Sequence, residues 1–391
     1  MTNIKHPIKS AIIMCYSDPA NDPRPNRMIH CLKNEYQITV LGTKEPNIKG
    51  INALIVPEIV SKSLVGKIMN AAFLSLRFFE HILWTKEMQI LQNKLLTQNF
   101  DLIIAHDLML LPLALSIKKN GRVIFDAREY YPRHLEDRFV WRFFFQKFNE
   151  FLCNAYLHQC DTMITVSEGI ALEYQRQYRV KPEVVMSFPS YCHIQPSLTN
   201  SDRIRLIHHG NANVSRRIEL MIEMMDYVDE RFTLDLMLMP TQPAYLKKLV
   251  NMANQRQNVR IIPPVSYAEI VPFANRYDLG LFFVQPSTFN LQYALPNKLF
   301  EFIQARLAVA IGPSIEMKNI VEKYDCGIVA RDFEPKSLAE ELNKLSVEKL
   351  TYYKKQSHEA AKKLTAENNC SKIKEIIIDI GCYNIGKNKT L

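Results

Sequence analysis

The chain has 391 residues, which is long for one hydrophobic core, so two domains are the first expectation. Its 47% hydrophobic and 23% charged residues are typical of a globular protein and exclude a disordered chain. The formal net charge of +9 is spread over both halves, which argues against a nucleic-acid-binding tail. This charge favours anionic small molecules or an anionic membrane surface as partners.

Short apolar runs alternate with helical patterns along the chain. Most runs are continuous, which is typical of parallel strands covered by helices on both faces. The first series lies at 10–15, 38–42, 53–56, 102–105, 122–126, 162–166 and 184–187. The second lies at 204–210, 233–238, 259–263, 279–284, 307–312 and 327–330.

The segment 187–202 is rich in Pro, Ser and Asn and separates the two series as a linker. We therefore predict an α/β fold with two tandem Rossmann-like doubly wound domains, 1–195 and 200–364, and an interdomain cleft that binds ligands. The tail after residue 349 predicts one or two helices. The sequence leaves open whether a helix within 365–391 joins the first domain.

The eight cysteines include no CxxC pair, and the closest two, Cys153 and Cys160, have no partner at metal-ligand spacing. We predict no zinc site, and scattered single cysteines favour a reducing cytosol. The longest uncharged apolar stretch, 108–117, is about half of the roughly 20 residues that a spanning helix needs. The expected location is therefore cytoplasmic.

The segment 294–313 raises the first functional question. Pro296 is predicted to open a short helix, which is followed by an apolar strand and a stop at 312–313. Lys298 and Glu301 lie inside this apolar helix, although a buried helix normally excludes charge. From these residues alone, the commoner explanation is a charge that suits the helix dipole and a lysine that reaches solvent.

The pattern Pro296, Lys298, Glu301 resembles the Pro-x-Lys-x-x-Glu motif of retaining glycosyltransferase family 4, which has the GT-B fold. The segments 105–115, 125–133, 164–174, 278–287 and 320–342 add to the resemblance, which covers about 100 to 345. It implies transfer of a sugar from a nucleotide-sugar donor, most commonly a UDP-sugar, to a glycan or lipid-linked acceptor. It also implies a retaining reaction in synthesis of a bacterial surface polysaccharide, such as capsule or lipopolysaccharide. No acidic cluster of the Asp-x-Asp kind is apparent in the sequence, so we predict metal-independent transfer without a cofactor.

The resemblance implies that Glu301 holds the ribose and that Lys298 lies near the diphosphate. The other donor-binding residues that it implies are Gly210, Asn211, Arg217, Tyr293 and Asn297. Asn211 stands where the family has Arg, and Tyr293 stands where it has the first Glu of Glu-x7-Glu. A helix is expected to begin around Ser215, so that the loop after Gly210 forms a phosphate site.

Arg306 and Ala308 replace the family's turn Gly and Pro. A left-handed conformation at Arg306 would cost roughly 1 kcal/mol, so the local loop is expected to differ.

The resemblance also implies three catalytic residues. Arg216, at the family's Lys position, steadies the leaving diphosphate, whereas His106 and Glu129 orient the acceptor or donor sugar. Candidates on the acceptor side are Arg24, Arg27, Asp107, Asp126 and Arg128. The residues that follow consecutive strand ends are expected to face the cleft. From the residues alone, a backbone-bonded His106 and a helix-capping Asp126 fit equally well.

Two apolar and basic segments, 64–84 and 138–152, could lie on an anionic membrane. In the second, one helical face is predicted to carry Trp141, Phe144, Phe145, Phe148 and Leu152. Packing of both helices on the sheets is the commoner explanation of such faces.

Two other functions remain open. A nucleotide-sugar 2-epimerase shares this architecture and would need no acceptor. A catalytically degenerate partner subunit is the second alternative, because Tyr293, Asn211 and Arg128 differ from the family's usual residues.

Overall fold

A computed structural model of the chain describes residues 9–57 and 64–382, without the side chains of residues 64, 65 and 67. Residues 1–8 and 383–391 of the predicted domains lie outside the described residues, as do 58–63. The described part contains one seven-stranded and one six-stranded sheet, both parallel throughout.

The first sheet has the strand order β3-β2-β1-β4-β5-β6-β7. Its strands are β1 (Lys9–Met14), β2 (Tyr36–Gly42), β3 (Asn52–Ile55), β4 (Leu102–Ala105), β5 (Arg122–Ala127), β6 (Thr162–Thr165) and β7 (Glu183–Val184). The central strands β1 and β4 are almost fully inaccessible, because helices cover both of their faces.

The second sheet has the order β10-β9-β8-β11-β12-β13. Its strands are β8 (Ile204–Asn211), β9 (Phe232–Met239), β10 (Val259–Ile262), β11 (Leu279–Phe282), β12 (Ala308–Ile311) and β13 (Gly327–Val329). The strand order reverses beside the first strand of each sheet, as in doubly wound folds. The predicted fold class of two doubly wound α/β domains is therefore confirmed.

Helices connect the strands. In the first half they are α1 (Pro23–Leu32), α2 (Leu64–Ser75), α3 (Phe79–Leu83), α4 (Lys86–Leu96), α5 (Leu111–Ser116), α6 (Phe139–Trp141), α7 (Lys147–Tyr156) and α8 (Glu168–Tyr178). In the second half they are α9 (Glu219–Met224), α10 (Pro243–Ala253), α11 (Ile270–Ala274), α12 (Phe289–Gln292), α13 (Asn297–Gln304), α14 (Ile315–Tyr324), α15 (Pro335–Asn343), α16 (Val347–Ala361) and α17 (Ala366–Asp379).

The chain forms two compact units. One comprises Met1–Met186, Thr288–Asn290 and Asn369–Leu391, and the other comprises Ser187–Ser287 and Leu291–Asn368. The division therefore falls at residue 187, before the predicted boundary at 195–200. Most of α17 groups with the first unit, because Ile373, Ile376 and Ile377 pack into the core formed by β1, β2 and β4.

A disulfide joins Cys31 of α1 to Cys370 of α17, and 339 residues separate the two cysteines in the sequence. This bond corrects the prediction that the cysteines are all single. Because disulfides are rare in the cytosol, Cys31 and Cys370 no longer support the expectation of a reducing compartment.

The apolar segment 138–152 is one helix interrupted by a π-helical turn at Arg142–Gln146. Phe148 and Leu152 are buried, as expected for packing on the sheet. Phe139 and Phe143 remain 72% and 60% exposed. Across residues 9–57 and 64–382, the structure contains no helix long and apolar enough to cross a bilayer.

Candidate functional site

The carboxyl end of the second sheet brings Gly210 of β8 against Lys298 of α13. Gly210 has a φ of +136°, which L side chains rarely adopt. A Cβ at this position would lie within 2.5 Å of the Lys298 Nζ, so the glycine lets the ammonium group approach the backbone. The lysine therefore lies at a strand end, where parallel sheets bind ligands.

The Lys298 side chain is half-buried, and the cationic Arg216 lies near its ammonium group. Burial, followed by the positive charge of Arg216, lowers the pKa of Lys298 to about 8, and Glu301 only partly opposes this. Among the described residues, no carboxylate lies within ion-pair distance of the Lys298 Nζ. The lysine thus does not simply extend into solvent, and its charge is poorly compensated within this unit.

Glu301 lies one turn after Lys298 and is 4% exposed. Its Oε2 is 3.3 Å from the Nε2 of His209, which is also buried. Burial, Lys298 and His208 hold the pKa of His209 well below its usual value, so the imidazole is neutral. Glu301 therefore lies next to a neutral histidine, although the His209 Nε2 forms no hydrogen bond of normal geometry with a described residue.

His208 is the second buried histidine in this strand. Its Nδ1 lies 2.8 Å from the Leu281 carbonyl oxygen in the neighbouring strand β11. Burial, with Lys298 and Arg216 nearby, lowers the pKa of His208 to about 3. The neutral ring donates from Nδ1 to this carbonyl, which holds β8 and β11 together beneath Lys298.

The loop after Gly210 differs from its prediction. A 3₁₀ turn occupies Val214–Arg216 and α9 begins only at Glu219, because Arg217 adopts a left-handed conformation with a φ of 45°. Arg217 is exposed and donates to Gln285 Oε1. The predicted helix start near Ser215 is thus wrong, and a turn brings Arg216 near Lys298, while the phosphate site in this loop stays a prediction.

The remaining donor candidates lie at the ends of neighbouring elements. Asn297 is the first residue of α13, after the N-cap Pro296. Tyr293 is half-buried just after α12, and Asn211 is exposed at the end of β8. Their proposed roles in donor binding stay predictions.

Arg306 does adopt the left-handed conformation, with a φ of 63°, and is fully buried. Its guanidinium donates to the carbonyl oxygens of Gln304 and Cys192, each at 2.6 Å, and to His358 Nδ1 at 3.0 Å. These bonds offset the backbone strain and tie α13 to α16 and the linker. The loop therefore keeps the glycine-like turn, contrary to the expectation that it would differ.

At the carboxyl end of the first sheet, Asp126 of β5 forms a buried ion pair with Arg24 of α1. The Arg24 Nε lies 2.9 and 2.7 Å from the two carboxylate oxygens, and its Nη1 donates to the Val185 carbonyl at 2.8 Å. The Nδ1 of His106 is 2.9 Å from Asp126 Oδ2. Burial disfavours the charge of Asp126, but Arg24 and His106 hold its pKa well below the usual range.

This geometry changes the interpretation of three predicted residues. His106 and Asp126 are both fully inaccessible, and Arg24 is 9% exposed. Their side chains are therefore enclosed within this unit, and their roles toward a substrate stay predictions. They connect β4, β5 and α1, and any effect on a substrate would pass through other residues.

Arg128 forms a second, shallower pair. Its Nη2 is 2.6 Å from Asp107 Oδ1, and its Nη1 pairs with Asp22, the N-cap of α1. Although burial opposes its charge, Asp107 and Asp22 hold the pKa of Arg128 above its usual value. Arg27 is half-buried on α1. The pairs of Arg128 with Asp107 and Asp22 connect the strand ends of the first sheet to α1.

Glu129 is the accessible acid at this end of the sheet. Its side chain is 42% exposed, and its Oε2 lies 3.2 Å from His134 Nε2. Of the candidates that follow strands β4 and β5, Glu129 is the one that a substrate could reach without displacing a buried ion pair.

In the part of the chain that the structure describes, no group of three or more His, Cys, Asp or Glu side chains is arranged to hold a metal ion. The charged groups around Gly210 are instead two cations, Lys298 and Arg216, next to the buried pair His209–Glu301. This arrangement can bind an anion at the lysine and polar hydroxyl groups at the carboxylate.

No protein-family model and no curated protein sequence matches this chain. Its structure is similar to HepE from Anabaena, solved with UDP and glucose, with a TM-score of 0.69 and 11% identity over 95% of this chain and 100% of that one. It is also similar to WaaG, described as a glycosyltransferase involved in lipopolysaccharide biosynthesis, with a TM-score of 0.66 and 13% identity over 94% and 99% of the chains.

A third similar structure is a glycosyltransferase from Rickettsia africae ESF-5, with a TM-score of 0.69 and 11% identity over 95% of this chain and 98% of that one. At such low identities, these similarities establish the fold alone. The fold is that of the GT-B glycosyltransferases.

Sequence reasoning missed three features of these sites. The pair His208–His209 directly precedes Gly210, so its place on the strand was a usable signal. The pairing of Arg24 with Asp126 joins residues 102 positions apart, and local patterns carry no information about it. The contact between Arg217 and Gln285 is equally non-local.

Proposed function

We propose that this chain is a glycosyltransferase that moves a sugar from a nucleotide-sugar donor, a UDP-sugar, to a glycan or lipid-linked acceptor. The observation that carries the proposal is the approach of Lys298 to Gly210, one helical turn from the buried Glu301. A diphosphate suits the first position and the two hydroxyls of a ribose suit the second. The shared fold with HepE, which was solved with UDP and with UDP-glucose, supports this assignment.

In the proposed reaction, Lys298 and Arg216 stabilise the negative charge that develops on the leaving diphosphate. Glu301 accepts hydrogen bonds from the ribose, next to the neutral His209. Glu129 orients the acceptor or donor sugar. We propose that transfer is retaining and needs no metal or cofactor, because two cationic side chains supply the charge that a metal would otherwise provide.

The biological role that we propose is synthesis of a bacterial surface polysaccharide, such as capsule or lipopolysaccharide, at the cytoplasmic face of the membrane. The similarity to WaaG supports this role at the level of the fold. Assignment to retaining glycosyltransferase family 4 rests on the motif Pro296, Lys298, Glu301.

The proposal is tested by a thermal-shift screen of nucleotide sugars, because a bound ligand raises the unfolding temperature by mass action. One UDP-sugar should stabilise both the wild type and an E322Q control. In the wild type, Glu322 forms an exposed ion pair with Lys318. The same sugar should fail to stabilise E301Q. No stabilisation by any nucleotide sugar would overturn the proposal.

Turnover separates the alternatives. The donor found in the screen should be consumed when acceptor glycans are added, with chelator present. Conversion of UDP-GlcNAc without an acceptor would instead identify an epimerase. Binding without turnover would identify a degenerate partner subunit.

We also propose that the first unit contacts an anionic membrane. Phe139 and Phe143 project into solvent beside two exposed basic residues, Arg138 and Arg142, whereas the exposed Lys147 pairs with Glu150 at 2.7 Å. No acidic residue occurs between 138 and 149. Exposed aromatic side chains surrounded by cations suit the interface of anionic lipids.

Flotation with liposomes tests this contact. The wild type should float with vesicles that contain phosphatidylglycerol and remain unbound with pure phosphatidylcholine. The F139S/F143S variant should lose binding, whereas L172S, which changes an exposed leucine on α8, should keep it. Equal flotation of both variants would contradict the proposed surface.

A further inference from the structure

The second unit contains an arginine-lined cavity away from Gly210 and Lys298. Its volume is about 730 Å³, and four arginines line it: Arg203, Arg205, Arg260 and Arg276. Arg203 and Arg205 lie at the start of β8, whereas Gly210 lies near its end. At about 3.3 Å per residue, roughly 20 Å of strand separates them.

Two of the arginines are held by buried carboxylates. Arg260 donates from Nε and Nη2 to the two oxygens of Asp235, each at 2.8 Å. The Tyr277 hydroxyl also donates to Asp235, at 2.7 Å. Arg205 donates from Nε to Asp278 Oδ2 at 3.3 Å. Two short hydrogen bonds hold the Arg260 guanidinium and one longer bond holds that of Arg205, and both groups still have N–H groups that these carboxylates do not use.

The other two arginines have more of their donors available. Arg276 lies 4.0 Å above the Phe273 ring and donates from Nε to the Phe273 carbonyl at 3.1 Å. Both of its Nη groups are left for a ligand. Arg203 is exposed, and its guanidinium makes no hydrogen bond among the described residues. The cavity thus combines two arginines paired with carboxylates and two exposed arginines whose Nη groups no described carboxylate contacts.

The remaining wall of the cavity is mixed, with the polar Asp235, Asn254 and Tyr277 beside an apolar side. Pro263, Pro264 and Val265 follow β10, and Phe273 faces the same space. Arginine forks match the oxygens of a phosphate group, and an apolar wall suits the face of a sugar ring. A ligand of this cavity therefore combines a phosphate group with a ring.

We propose that this cavity is a second binding site, specific for a sugar phosphate and independent of the nucleotide site at Lys298. Because Arg203 and Arg205 are at the opposite end of β8 from Gly210, both ligands can be bound at once. A phosphorylated sugar could then bind this protein without displacing the nucleotide-sugar donor.

The test is isothermal titration with glucose 1-phosphate and glucose 6-phosphate, with and without saturating UDP. The wild type should bind at least one of them whether or not UDP is present, and neutral glucose should not bind. R203Q/R276Q should bind at least about tenfold more weakly, because each charged hydrogen bond commonly contributes about that factor. R331Q, which changes a 78% exposed arginine outside the cavity, should bind like the wild type.

No binding by the wild type, unchanged binding by R203Q/R276Q, or displacement by UDP would overturn the inference. Circular dichroism checks that the double variant is folded, and folding should persist because Arg203 and Arg276 are exposed. The titrations without UDP remain decisive if UDP itself does not bind, so this test and that of the proposed function fail separately.

Discussion

The charged side chains at the carboxyl ends of the two sheets differ in whether they have partners of opposite charge. At the first sheet, Arg24 and Arg128 each contact carboxylates, and the Arg24–Asp126 pair is almost fully buried. At the second sheet, Lys298 approaches Arg216, and burial and this repulsion lower its pKa to about 8. The first arrangement stabilises the protein by itself. The second becomes favourable when an anion binds, which is typical of a ligand site.

The largest expected effect tests the first half of this comparison. D126N should destabilise the first unit by about 3–5 kcal/mol, because it leaves the Arg24 charge buried without a carboxylate. Both tryptophans, Trp84 and Trp141, lie in this unit, so their fluorescence during urea unfolding reports its stability.

The matched control is E183Q, which removes a half-exposed carboxylate 3.8 Å from Lys372 in the same unit. Its effect should stay within about 0.5 kcal/mol. If D126N were as mild as E183Q, the ion pair would not be the structural element that we describe.

A smaller effect is expected at Arg306, where the second unit does compensate a buried cation. R306G should relieve roughly 1 kcal/mol of backbone strain but lose three charged hydrogen bonds, for a net loss of about 2–3 kcal/mol. Thermal unfolding should therefore shift downward.

Arg179 provides the control, because it also has a left-handed backbone, with a φ of 56°, while its side chain is exposed. R179G should not destabilise the protein. An R306G variant as stable as the wild type would show that the bonds to Cys192, Gln304 and His358 contribute little.

The smallest expected effect is on the melting temperature, which the buried charge of Lys298 lowers. Because its pKa of about 8 lies below its usual value of 10.5, its charge is disfavoured in the folded state. K298M should therefore raise the melting temperature at pH 7, and the gain should shrink as the pH rises from 8 toward 10.5. Differential scanning calorimetry across this range measures it. If the rise in melting temperature of K298M did not depend on pH, it would come from side-chain packing and not from removal of the charge.

Local sequence patterns predicted much of the fold. All thirteen predicted strands are present, with ends that differ by a few residues, because a continuous apolar run is a direct mark of a buried parallel strand. The position of Lys298 and Glu301 within α13 was also predictable from Pro296 and the helical spacing.

Contacts between distant segments were not predictable. The burial of His106 depends on Asp126 and on Arg24 of α1, and the Cys31–Cys370 disulfide joins segments 339 residues apart. A single sequence shows which residues are chemically able to form ion pairs or disulfides, but not which of them are in contact in the fold. The late start of α9 has a local cause, the left-handed Arg217, but a non-glycine residue rarely adopts that conformation.

The proposed function depends most on binding of the diphosphate of a nucleotide by Lys298 at the end of β8. Titration of UDP into the wild type, K298M and K318M tests it most directly, because Lys318 is a half-exposed lysine of the same unit. We predict that K318M binds UDP like the wild type and that K298M binds it about 100-fold more weakly, as expected for loss of a buried charged contact. Equal affinity of K298M and K318M, or no binding of UDP by the wild type, would contradict the claim.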